Sequence, residues 1–185
     1  MRSLLDRIYR ISGALSGIGI VLICVLILMR VVGRWMGIVV PSSDDFAGYL
    51  LAASSFLGLA YTFRQGGHIR VSLFTSRMSE KANILFERFI LLLASVLCVF
   101  LTLKLIDMVL ESKEFEEVTT GYVPVPLWIV QAPLALGMLI FTVAIIDQFI
   151  GSLFFSERIP ESDEEKLAHQ ESLETEVTDV AKGVK

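Results

Sequence analysis

The residues best placed to do chemistry in this chain are Arg30, Arg34, Asp44 and Asp45. Two arginines could clamp a substrate carboxylate, and two aspartates could hold a cation at a membrane boundary. The simpler expectation is that the four pair with one another at the interface. Lys104 and Asp107, at i and i+3, are expected to form a local pair, and Asp147 is expected near a membrane boundary. His68 stands in Arg64-Gln65-Gly66-Gly67-His68-Ile69-Arg70, where the glycines allow a tight loop. A metal or haem needs further ligands, yet the only other histidine is His169, outside every apolar block. A haem held by two histidines within the membrane is therefore excluded for this chain alone. His68 is expected to be structural or to touch a partner, and no cofactor or metal is expected. No nucleotide loop, nucleophile elbow, HExxH or paired-carboxylate pattern occurs, so an enzyme is not expected.

The elements that carry these residues are long apolar blocks. Of 185 residues, 54% are hydrophobic, and mean hydropathy is +0.68. The apolar residues fall in runs rather than in a 2- or 3.6-residue rhythm. About 20 apolar residues span the roughly 30 Å hydrocarbon layer as a helix, and the ten-residue alternation of a membrane barrel is absent. An all-α integral membrane protein of four helices is predicted, with spans at about 11–33, 45–63, 83–110 and 125–153. Residues 1–156 form the membrane domain. Residues 157–185 form an acidic tail with nine acids and four bases, expected to be disordered and solvated. The rest of the chain is then close to neutral against a net charge of −4, which leaves no basic surface for nucleic acid. Cys24 and Cys98 lie inside apolar blocks and are read as small buried hydrophobes. The first apolar run is too long, and lacks the small-residue exit site, for a cleaved signal peptide.

Four spans put both termini on one side. Arg2, Arg7 and Arg10 precede the first span, and Arg64, Arg70, Arg77 and Lys81 follow the second. The stretch Glu111 to Glu117 on the other side has Lys113 as its only base. Both termini and the middle loop are therefore expected in the cytoplasm, with Arg30 and Arg34 snorkelling to the far interface or pairing with the aspartates. Trp35 to Ser43 is too short to span and is expected to lie at the interface, with Ser42 or Ser43 as the N-cap of the second helix. Small residues four apart, Gly13/Gly17, Gly48/Ala52 and Ser54/Gly58, let helix backbones approach within this chain or with a partner. No internal repeat supports an inverted-repeat transporter.

The run Asp44-Asp45-Phe46-Ala47-Gly48-Tyr49, then Phe56-Leu57-Gly58, then Arg64 to Val71 resembles the small permease subunit of tripartite ATP-independent periplasmic (TRAP) transporters, the DctQ-type family. An arginine closing the first span (Arg30 or Arg34), and Gly121, Pro124, Pro126, Trp128 and Pro133 around the fourth, extend the likeness over most of residues 10–155. The family's acidic pair often includes Glu where this chain has Asp44 and Asp45, and the acidic tail is not among the features that carry the resemblance. The resemblance implies a bacterial inner-membrane component of a sodium-driven importer of organic acids. Its partners would be a large permease subunit, a periplasmic solute-binding protein and membrane lipid. It also implies that Arg30, Arg34, Asp44, Asp45, Gly58, Arg64, Gly67, His68, Arg70, Pro126, Trp128 and Pro133 serve structure or partner contacts. Two other classes stay open on the residues alone. One is an autonomous small homo-oligomeric transporter or channel; the other is a redox-enzyme anchor, which the histidine count opposes.

Overall fold

The computed structural model describes residues 2–65 and 80–154, and within them the regular structure is helical apart from one isolated bridge between Val118 and Pro126. Four helices follow in order: α1 (Arg2–Trp35), α2 (Ser43–Arg64), α3 (Glu80–Glu114) and α4 (Leu127–Phe154). All four are long and apolar enough to cross a membrane. The first three expected spans thus lie inside the observed helices, while the fourth helix starts at Leu127, two residues after the expected 125, and α1 begins well before its apolar block. Its 34 residues run to about 51 Å at 1.5 Å per residue, longer than the hydrocarbon layer. The added turns carry Asp6 and Tyr9. His68, Gly67, Arg70 and the tail 157–185 lie outside the described residues.

The ends of α1 and α2 are shaped by local hydrogen bonding. Gly37 has φ +75°; its N–H reaches the Arg34 carbonyl at 3.2 Å, and the Ile38 N–H reaches the Gly33 carbonyl at 2.8 Å. This is the paired bonding of a Schellman stop, which needs a left-handed residue just past the helix. Ser42 occupies the N-cap position of α2, but in a left-handed conformation and without a side-chain capping bond. Its carbonyl accepts the first bond of the helix, from Phe46. Its hydroxyl accepts the N–H of Val123 at 3.1 Å instead, tying the 36–42 connection to the 115–126 connection.

The helices stand in a row rather than in a closed bundle. α1 packs on α2, α2 on α4, and α4 on α3, with α1 and α4 touching at a few points. Without water to expel, helices in a membrane associate through close packing and interhelical hydrogen bonds; the α1–α2 and α3–α4 seams use both, and the α2–α4 seam shows close packing. Between α1 and α2, the Ser12 hydroxyl donates to the Leu57 carbonyl, and that of Ser16 donates to the Ser54 carbonyl at 2.7 Å. Between α4 and α3, the Thr102 and Thr142 hydroxyls meet at 2.8 Å. Between α2 and α4, Phe63 and Phe141 stack edge to face with centroids 5.8 Å apart. Hydroxyls on open faces bond within their own helix, as Ser55 does to Leu51 and Thr62 to Gly58. The buried core runs along these seams through Tyr9, Ala60, Phe63, Leu91, Cys98, Met138 and Ile145. Cys24, by contrast, is exposed. Its apolar surroundings in sequence therefore do not become a core around it.

The tightest approach is at Gly137, where a Cβ would come within 2.5 Å of the Phe56 carbonyl carbon and 2.7 Å of the Leu57 nitrogen. Both obstacles are backbone, so only separation of α2 from α4 relieves them. Gly137→Ala is expected to lower the thermal stability of the detergent-purified protein, at a cost of about 1–3 kcal/mol from overpacking. Gly17→Ala, whose added carbon meets nothing within 4 Å, is expected to leave the melting temperature unchanged. Equal melting of both variants would contradict this seam.

Candidate functional site

At the end of the row where α1 begins and α4 ends, three helices meet on Arg64. Arg64 closes the last turn of α2, and its guanidinium donates to the Asp6 carboxylate of α1 at 2.9 Å. The same group lies 3.7 Å from the Asp147 carboxylate of α4 and 5.6 Å from the centre of the Tyr9 ring of α1. The Arg64 and Asp147 side chains are about three-quarters buried (24% exposed), and Asp6 is 43% exposed. One cation held by two carboxylates and an aromatic face loses less by desolvation than a lone charge does. Beside this group α3 is held in turn, because Arg88 donates to the Ser152 carbonyl of α4 at 2.9 Å. The Tyr9 hydroxyl and the Arg88 Nε are buried without a partner among the described residues.

At the opposite end, Arg30 of α1 pairs with Asp44 of α2. Arg34 and Asp45 are both exposed. The Asp45 carboxylate stands against Gly121, close enough that a Cβ there would fall 2.6 Å from its Oδ2. The 115–126 connection is closed by its own bonds: Thr119 N–H to the Val125 carbonyl at 2.9 Å and Leu127 N–H to the Glu117 carbonyl at 2.8 Å. Pro126 forms the bridge to Val118, and Trp128 lies beneath the Lys113 ammonium, 5.8 Å from its ring centre. Pro133 sits inside α4, where it donates no N–H to the preceding turn. Nearby, the Gln131 carbonyl oxygen is buried with no partner.

The small residues named by spacing divide into two sets. Gly13 faces Tyr61, Gly58 faces Ser16, and Ser54 is buried against Gly19, all in the α1–α2 seam. Gly17 and Gly48 face open space, and Ala52 is half-buried. Sequence spacing did not single out Ser12, Ser16, Gly19 or Gly137, nor the partnership of Asp6 and Tyr9 with Arg64. Ser12, Ser16 and Gly19 do lie on one face at intervals of four and three, a usable signal; the long-range pairing of Asp6 with Arg64 leaves no local pattern. Among the described residues, no group of histidine, cysteine and acidic side chains could hold a metal ion.

Four membrane-length helices in an open row, with a partly buried charge cluster at one end and an exposed ion pair at the other, define a multi-helix membrane component. The chain belongs to the DctQ component family of tripartite ATP-independent periplasmic transporters, whose pattern it matches over residues 23–155. It is thus a transport component, the small membrane subunit of a three-part system that also has a large permease and a solute-binding protein. Comparison with curated proteins finds no match.

The Arg30–Asp44 pair is 45% and 70% exposed, and exposed pairs contribute about 0–1 kcal/mol. Arg30→Gln is therefore expected to change unfolding stability by less than about 1 kcal/mol, measured by thermal melting in detergent. A drop several times larger would assign that pair a role beyond neutralising the boundary.

Proposed function

We propose that this chain is the non-catalytic scaffold of a sodium-driven importer of organic acids. It packs against the large permease subunit, widens and stiffens that subunit's stationary part, and helps to dock the solute-binding protein. The observation that carries this reading is the open row: α1 and α3, at its two edges, pack mainly on one neighbour each and leave long apolar faces uncovered. Solute and sodium are handled by the other two components, and this subunit supplies surface.

The termini and residues 66–79 lie in the cytoplasm in this reading. The distribution of Arg2, Arg7, Arg10, Arg64, Arg70, Arg77 and Lys81 supports it, and pairing with Asp44 removes the contrary weight of Arg30. The two connections joined by Ser42 and Val123 then face the periplasm, where Arg34, Asp45 and Tyr122 are exposed and meet the binding protein. Gly67, His68 and Arg70 belong, with Arg64, to the cytoplasmic turn and its contact with the large subunit.

The test is solute uptake into liposomes under a sodium gradient. Large subunit, binding protein and this chain together are expected to transport, and omission of this chain is expected to abolish uptake. Unchanged uptake without it would refute the scaffold role, and flux through this chain alone would make it an autonomous transporter. A reporter fused at residue 118 is expected to be periplasmic; a cytoplasmic signal there would reverse the topology.

A further inference from the structure

Helix α3 has two opposite faces. Leu91, Ser95, Cys98 and Thr102 are buried, at alternating intervals of four and three, and this face meets α4 through the Thr102–Thr142 contact. Phe100, Leu103 and Leu110 on the other face are exposed. Lys104 and Asp107 lie on that outer face, paired at 3.1 Å, with 63% and 56% of their side chains exposed.

The depth of this pair is what makes it informative. Thr102 is level with Thr142 of α4, and Gly137 of α4 is level with Phe56 and Leu57 of α2. Because α3 and α4 run in opposite directions, moving from Thr102 to Asp107 on α3 corresponds to moving from Thr142 back towards Gly137. The pair therefore stands near the level of Phe56, close to the middle of the 22-residue α2. Lys104 is also ten residues short of the helix end at Glu114, about 15 Å, a distance the lysine stem covers only in part. Charged side chains at such depth face protein or water rather than lipid tails, yet these two point away from every other helix described. Lys104 and Asp107 thus differ from the ion pairs at the two ends, which lie between helices of this chain.

We infer that the outer face of α3, centred on Lys104 and Asp107, is the surface on which the large membrane subunit of the transporter docks. This rests on the scaffold reading above and adds the face it uses. The partner presents polar groups within the membrane layer at that level, satisfying the lone pairs and protons that the intrahelical pair leaves over, with apolar packing on Phe100 and Leu103 around it.

The experiment is photo-crosslinking in the intact complex, with a benzophenone amino acid at Phe100 of the tagged chain, beside co-purification of the large subunit. The expected result is an adduct of this chain with the large subunit. Lys104→Glu is expected to lower retention of the large subunit about tenfold or more, while Lys104→Arg retains it. Melting of the isolated Lys104→Glu chain is expected to stay at the wild-type value, since the pair touches no other helix described, and that separates lost docking from lost folding. If the wild-type chain retains the large subunit but Phe100 labels only lipid or a second copy of this chain, the docking face is wrong and the scaffold reading stands. If the wild-type chain retains no large subunit, both fall.

Discussion

The architecture depends on where the Arg64 charge can be placed. A guanidinium at the end of a short membrane helix is costly unless it reaches water or an acid, and here it is shared between Asp6 and Asp147 over the Tyr9 ring. That arrangement requires α1 to extend below its apolar block and requires α4 to stand beside α2. It thereby fixes three helices relative to one another at one end of the molecule. Registers elsewhere follow from it: the serine hydroxyls of α1 meet carbonyls of α2, and Gly137 meets the backbone of Phe56.

The same logic explains why the helices form a row. The seams bring small residues and hydroxyls together: Ser12 and Ser16 bond across α1–α2, and Thr102 meets Thr142 across α3–α4. α3 is held by α4 through Thr102 and Arg88, and no comparable contact with α1 occurs among the described residues. A closed bundle would bury the outer faces of α1 and α3 against each other; these faces carry many large exposed apolar side chains. An edge left open in this way suits a subunit of a larger assembly, as membership of a tripartite transporter family requires.

Much of this was legible in the sequence and some was not, for physical reasons. The four spans follow from hydrophobic length, because lipid imposes a length constraint that any single sequence displays. The pairing of Arg30 with Asp44 could be anticipated because a short connection brings both to one boundary. Arg64 was legible as a residue of note, but as part of the turn that follows it; its actual partners come from helices distant in sequence. Asp147 reads as a boundary residue and becomes a structural ligand of Arg64. Lys104 and Asp107 read as an ordinary local pair, since sequence gives their spacing but neither their depth nor their outward direction. Gly137 carries no partner glycine at four-residue spacing, and its need for close approach appears only once Phe56 lies opposite.

The central claim, that Arg64 couples α1, α2 and α4, is tested most directly by a mutant cycle on thermal and denaturant unfolding in detergent. Wild type, Arg64→Gln, Asp6→Asn, Asp147→Asn and the two double variants containing Arg64→Gln would be compared. The account predicts coupling of about 1 kcal/mol or more for each acid with Arg64, so that neither acid substitution costs much once Arg64 is gone. Strictly additive effects would show that the three charges act independently and would contradict it.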